Sequence, residues 1–240
     1  MFSLFFANFQ KVVTSFTNGL TFKFGQMFHT DFERFKREFS LYETVYYTLL
    51  FAAYTILTAF LMPVIRLYTS GIADAAIYDN TVALLLFAAV TALTGTEAPM
   101  LQQLYVAGKF DDTRNQAIWE MAINITVSII ATWRFGLIGC LIGTVAALLY
   151  RNNALIIYTA RRILDRSCLQ LYKKIAVNLA LGAGIIMLLG TDSCEATSYL
   201  HVILTVIPNA LWIAAVFIAV NVLINLRECI AFVRAHRRRA

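Results

Sequence analysis

The stretch WEMAINITVSIIATWRFGLIGCLIGTVAALLYRNNALIIY, Trp119–Tyr158, decides the fold class. Two apolar runs, Ala117–Trp133 and Leu137–Tyr150, flank a short turn at Arg134–Gly136, the pattern of a helical hairpin. Glycines at 136, 139 and 143 open the second run, and Gly139 and Gly143 share one helical face. Small residues at that spacing let another helix backbone approach closely inside lipid, where van der Waals contact rather than water exclusion drives packing. Glu120 and Asn124 share a face of the first run. Polar groups at membrane depth are costly unless they face protein or a wet cavity. The stretch therefore reads as a packed transmembrane hairpin with a polar inner face.

Composition extends this reading to the whole chain. Of 240 residues, 60% are apolar and only 14% charged, against about a quarter charged in soluble domains. The 18 Phe, 11 Tyr and 3 Trp suit lipid-facing and interfacial helices. With three prolines and no Pro- or Ser-rich linker, the chain reads as one all-α, polytopic transmembrane bundle of about seven helices. The expected spans are 1–26, 46–65, 81–106, 117–133, 137–150, 175–189 and 200–226.

The first span carries a polar stripe, Asn8, Lys11, Ser15 and Asn18, spaced by three and four. Its 26 residues reach about 39 Å, enough to cross a bilayer. Crossing would turn the stripe to the bundle interior, with Lys11 the charge most exposed to a transport path. The alternative is an amphipathic helix lying on the membrane surface. It lacks the basic n-region of a signal peptide. Phe28–Glu43, FHTDFERFKREFSLYE, reads as a solvated loop in which the next helix begins. Pro63 closes the span 46–65, with Arg66 at the interface, and Pro99 should kink the third span beside Glu97.

The basic residues mark topology rather than a nucleic-acid surface. Between the seven spans, one side receives four Lys and Arg in 23–43, two in 107–115, six in 151–174 and five in 227–240. The other side receives only Arg66 and Arg134, so the bias is seventeen to two. The positive-inside rule then puts the C-terminus and the basic loops in the cytoplasm and the N-terminus outside.

Catalytic and metal chemistry find no footing. His29, His201 and His236 are far apart, and Cys140, Cys168, Cys194 and Cys229 form no CxxC pair. No HExxH, GxSxG, GxGxxG or phosphate-loop motif occurs. Neither an enzyme nor a cofactor or metal is expected. Glu97 and Glu120 flank the 107–115 turn at compatible depths. Either they meet as a carboxylate pair linked to a proton or cation, or each bonds a neighbouring Asn, Thr or Tyr.

Several phrases follow one another in a telling order: FLMPVIRLYTSGI at Phe60–Ile72, AGKFDDT at Ala107–Thr113, ExxxN at Glu120–Asn124, RFGLIGCLIGT at Arg134–Thr144 and LLYR at Leu148–Arg151. In that order they resemble the C-terminal half of the O-antigen or capsule-type polysaccharide flippases of the multidrug/oligosaccharidyl-lipid/polysaccharide exporter superfamily. The resemblance spans residues 1–165, with 166–240 a peripheral two-helix hairpin ending in a basic tail. It implies two six-helix lobes around a central cavity that holds an undecaprenyl-linked oligosaccharide, the chain supplying most of the second lobe. It also implies transport only when another lobe completes the cavity, the lobes rocking against each other. That lobe would be absent through truncation, supplied in trans by a split partner, or rebuilt by a homodimer. Met1 opens directly into an apolar helix, which suits truncation best. Candidate path residues are Asn8, Lys11, Asn18, Arg66, Glu97, Glu120, Asn124, Arg134 and Arg151. Of these, Lys11, Arg66, Arg134 and Arg151 are the cations expected to meet phosphate. The rival reading is a non-transporting interaction protein in a glycan-assembly complex, its polar stripes packed against other helices.

Overall fold

The computed structural model describes residues 2–69, 79–191 and 199–225. Among them are eight α-helices and no strand: α1 Phe2–Asn18, α2 Thr21–Thr30, α3 Phe32–Thr69, α4 Thr81–Ala107, α5 Arg114–Phe135, α6 Leu137–Tyr158, α7 Cys168–Leu189 and α8 Tyr199–Ile224. A 3₁₀ turn at Asp111–Thr113 precedes α5, and a π-helical turn at Thr159–Ile163 ends α6.

Local chemistry sets most helix ends. Asp31 Oδ1 accepts from the Arg34 backbone N–H at the start of α3, Asn80 Oδ1 from Ala83 in α4 and Ser167 Oγ from Leu169 in α7. These side chains satisfy donors that the first helical turn leaves open. Gly108 ends α4 in the left-handed region, at φ 64°, where its N–H reaches back to the Leu104 and Tyr105 carbonyls. Gly136, at φ 56°, joins α5 to α6.

The centre of the bundle is α3. Of its most apolar stretch 72% is buried inside the protein, against 17% for that of α8. Tyr47, Leu50, Leu61, Met62 and Ile65 of α3 pack with Leu84, Met100 and Leu104 of α4. On one side α4 carries α6, which carries α5; on the other, α7 and α8 both lie on α3. The outer helices expose apolar rows such as Ile203, Leu204, Ile207 and Leu211, the arrangement expected where lipid is the solvent.

Five helices are long and apolar enough to cross a membrane: Phe32–Thr69, Thr81–Ala107, Leu137–Ile163, Cys168–Leu189 and Leu200–Ile224. The expected seven spans are thus matched at five. α5 is long enough but diluted by Asn115, Gln116, Glu120, Asn124 and Ser128. The first span is not one helix: it breaks at Gly19–Leu20 into α1, of 17 residues, and α2.

The stripe on α1 is also corrected. Phe2, Phe6 and Phe9 face the bundle, against Phe87 and Tyr54, while Asn8, Lys11 and Ser15 are exposed. Aromatic burial decides which face of this helix turns inward. Within Phe28–Glu43 the next helix does begin, at Phe32, but the segment is helical apart from Asp31 rather than a solvated loop. The reason is that the rings of Phe24, Phe28, Phe35, Phe39 and Tyr42 pack at edge-on and tilted angles and clamp α2 to α3. Pro63 does not close its span either; α3 runs on to Thr69.

Candidate functional site

The polar groups of the hairpin are brought together because α5 and α6 lie almost backbone to backbone. A Cβ added at Gly139 would fall 2.3 Å from the Ala131 carbonyl carbon, and one at Gly143 2.1 Å from Ser128 Oγ. Only glycine fits at either position. The expected close approach is present, and its partner is the preceding helix of the same chain.

That approach lines up one polar column. Ser128 Oγ donates to Asn124 Oδ1 at 3.0 Å and lies 3.4 Å from the Cys140 carbonyl. One turn further, Glu120 Oε2 lies 3.6 Å from Arg151 Nε of α6. Arg151 is buried, and its Nη1 donates to the Thr113 carbonyl at 3.1 Å, tying α6 to the turn before α5. The next residue, Asn152, faces α4 instead. Its Nδ2 lies 3.1 Å from the Leu93 carbonyl and 3.3 Å from Glu97 Oε1. Glu97, Glu120, Asn124 and Arg151 thus belong to one cluster across α4, α5 and α6. Of the two arrangements left open, Glu97 follows the second, held by an asparagine, whereas Glu120 is held by an arginine, which neither included.

The remaining candidates stand apart. Asn8 and Lys11 are on the exposed face of α1, and the Asn18 side chain lies outside the described residues. Arg66 makes a two-pronged bond to Asp79, at 3.0 and 2.8 Å. Arg134 is exposed in the last turn of α5. About 21 Å of helix separates Leu137, just past that turn, from Arg151. Arg134 and Arg151 therefore cannot hold one phosphate together.

Sequence reading missed a second cluster, on the other side of α4. Glu43 of α3 is fully buried. Its Oε1 accepts from Gln103 Nε2 of α4 at 2.9 Å and from Arg166 Nη2, and its Oε2 lies 3.6 Å from Lys174 Nζ of α7. Lys174 also donates to the Ser40 hydroxyl and carbonyl, both at 2.7 Å. The one available signal was a Glu at the entry to an apolar run. Its partners come from separate helices, which no periodicity reveals.

A third polar contact is reciprocal. Asn178 and Asn221, both buried, donate to each other's Oδ1 at 3.1 and 2.8 Å and join α7 to α8. Among the described residues no group of three or more His, Cys, Asp or Glu could hold a metal ion. His29 and His201 are exposed, and His236, Cys194 and Cys229 lie outside the described residues.

No protein-family model matches the chain, and no curated protein or solved structure shows a significant match.

Proposed function

We propose that this chain is a membrane-embedded half of a polysaccharide flippase, moving an undecaprenyl-linked oligosaccharide only when a second lobe completes it. The observation that carries the reading is the orientation of α1. Its phenylalanines pack on α3 and α4, while Asn8, Lys11 and Ser15 face away from the bundle. α1, of 17 residues, is not among the five helices long and apolar enough to cross. On this reading it is embedded beside α3 and α4, where a lysine toward the bilayer centre costs up to about 2.5–3.5 kcal/mol on insertion scales. A second lobe covering this face would remove that cost and give Lys11 a place beside a diphosphate. The order of the motifs from Phe60 to Arg151 supports the same reading. The proposed membrane is the cell inner membrane, with the N-terminus outside and the basic loops in the cytoplasm.

A specific observation favours a second reading, a non-transporting scaffold in a glycan-assembly complex. Glu120 with Arg151, Glu97 with Asn152, and Glu43 with Arg166 and Lys174 pair inside the chain. Groups so engaged suit rigid helix packing as well as a transport path.

Liposomes loaded with a fluorescent undecaprenyl-linked saccharide separate the two. The flippase reading expects no translocation by the purified chain alone and translocation once a separate six-helix lobe is added, slowed by Lys11→Ala. Translocation by the chain alone would overturn the need for a second lobe. None with any added lobe, joined by co-purification with glycan-assembly proteins, would favour the scaffold.

A further inference from the structure

The amide of Asn152 is satisfied on one side and stranded on the other. Its Nδ2 lies 2.9 Å from the Leu148 carbonyl of its own helix, 3.1 Å from the Leu93 carbonyl and 3.3 Å from Glu97 Oε1, the last two on α4. An amide nitrogen carries two hydrogens for these three acceptors. The carboxylate is the farthest of them and receives a shared hydrogen at most. The amide oxygen has the opposite problem. Asn152 is 5% exposed, and its Oδ1 is buried with no hydrogen-bond partner. Exchanging the two amide atoms gives no relief, since an oxygen would then face three oxygens.

Charge at the same place is out of balance. α4 and α5 both pack on α6, and Glu97 has Glu120 as its like-charged neighbour and Arg151 as its opposite one. Arg151 forms its ion pair with Glu120 and a further bond to the Thr113 carbonyl. Among the described residues no cation pairs with Glu97. The elements that also pack on α4, namely α1, α2, α3 and the π turn, bring no other charged group to it. Two carboxylates thus meet one guanidinium. Glu97 stands ten residues before Ala107, the end of α4, about 15 Å along the helix. An unpaired carboxylate at such depth is costly.

A single proton meets both needs, because a carboxylic acid has one O–H to donate and a second oxygen to accept. We propose that Glu97 is a proton-binding site whose acid form closes a two-bond pair with the Asn152 amide. Oε1 accepts from Nδ2, and the hydroxyl at Oε2 donates to Oδ1. The bound proton neutralises Glu97, leaves Glu120 and Arg151 as a balanced pair and fastens α4 to α6. Its loss to water sets the Oδ1 acceptor against an ionised carboxylate and loosens that contact. The site is a property of this chain alone and does not depend on the flippase reading.

Infrared spectra of the full chain in nanodiscs test this, with pH and sodium varied separately. The expected result at neutral pH is a C=O stretch of a protonated carboxylic acid that fades as pH rises. It should be absent in Glu97→Gln, retained in Glu120→Gln and moved to the frequency of a free acid in Asn152→Ala. Adding sodium at constant pH should leave it unchanged. Glutamine copies the acid form, since its amide can make both bonds to Asn152 at any pH. The wild-type melting temperature should therefore fall as pH rises, because the folded chain holds a proton that the unfolded chain gives up, and Glu97→Gln should lack that fall. No band that Glu97→Gln removes, a band removed by Glu120→Gln instead, or one unmoved in Asn152→Ala would overturn the proposal. So would a band that sodium abolishes, which would make a metal cation the ligand. Loss of folding in Glu97→Gln would overturn it as well, since a site that holds the acid form accepts glutamine. Failure of the translocation assay leaves these results unaffected.

Discussion

The phenolic hydroxyl of Tyr46 donates to the Gly95 carbonyl at 2.9 Å, the acceptor that Pro99 leaves without its helical partner. A proline has no N–H to offer the residue four before it, and an orphan carbonyl in an apolar interior is costly. α3 supplies the missing donor, and Tyr47 gives a second to the Thr96 carbonyl at 3.2 Å. Gly95 makes this possible by lacking a side chain. A Cβ there would lie 2.7 Å from Leu50 Cδ1.

Tyr46→Phe should lower stability by about 1–3 kcal/mol, the penalty of a buried acceptor left unpaired. The same change in a Pro99→Ala background should cost less, because residue 99 then supplies its own N–H. Unfolding of the four variants in mixed micelles measures the coupling. Equal costs in both backgrounds would show that the tyrosine does not serve the proline.

Gly143→Leu, and even Gly143→Ala, should push α5 away from α6, because the new Cβ meets the Ser128 backbone nitrogen at 2.6 Å as well as its Oγ. Overpacking of this kind costs about 1–3 kcal/mol, with a lower melting temperature and less membrane-inserted protein. Gly184→Ala is the control, since nothing lies within 4 Å of a Cβ there. It should be neutral or slightly stabilising, alanine being the better helix former.

Arg151→Met should strand Glu120 beside Glu97 with no cation between α5 and α6. The expected loss is below the roughly 3–5 kcal/mol of a fully buried pair, because the Glu120 side chain keeps 30% of its exposure. Adding Glu120→Gln should recover part of it. Thermal unfolding in detergent reads both, and an unrecovered double variant would mean that Arg151 acts chiefly through the Thr113 carbonyl.

Asn221→Leu should free α8 at its inner half, since Asn178 would keep a buried amide with its partner gone. A loss of about 1–3 kcal/mol follows from one unmet buried group. Asn178→Leu combined with Asn221→Leu should be milder than either alone, because no amide is then left unpaired. Hydrogen exchange along α7 and α8 would register the loosening.

Topology gives a separate test. Lys109→Cys should label from the cytoplasmic side and Arg134→Cys from the outside, both positions being exposed. Labelling of both from one side would place the two ends of α5 on the same face of the membrane and remove it as a span.

What the sequence determined by itself is what repeats along one helix. Apolar length made the chain an all-helical membrane bundle, and the spacing of Gly139 and Gly143 announced a close helix contact. Glu120 and Asn124 were legible as one face for the same reason, since residues four apart share a side, and the cost of polar groups at membrane depth argued that this face turns toward protein. What only tertiary structure decided is which helices are neighbours. Glu43 draws its partners from 60 and 123 residues away, and Tyr46 meets Gly95 across 49. Neither leaves a periodic trace. The α1 stripe shows the limit most plainly: its spacing placed Asn8, Lys11 and Ser15 on one face, but the pull of Phe6 and Phe9 toward Tyr54 turned that face outward. Periodicity says that a helix has two sides; the packing partner chooses between them.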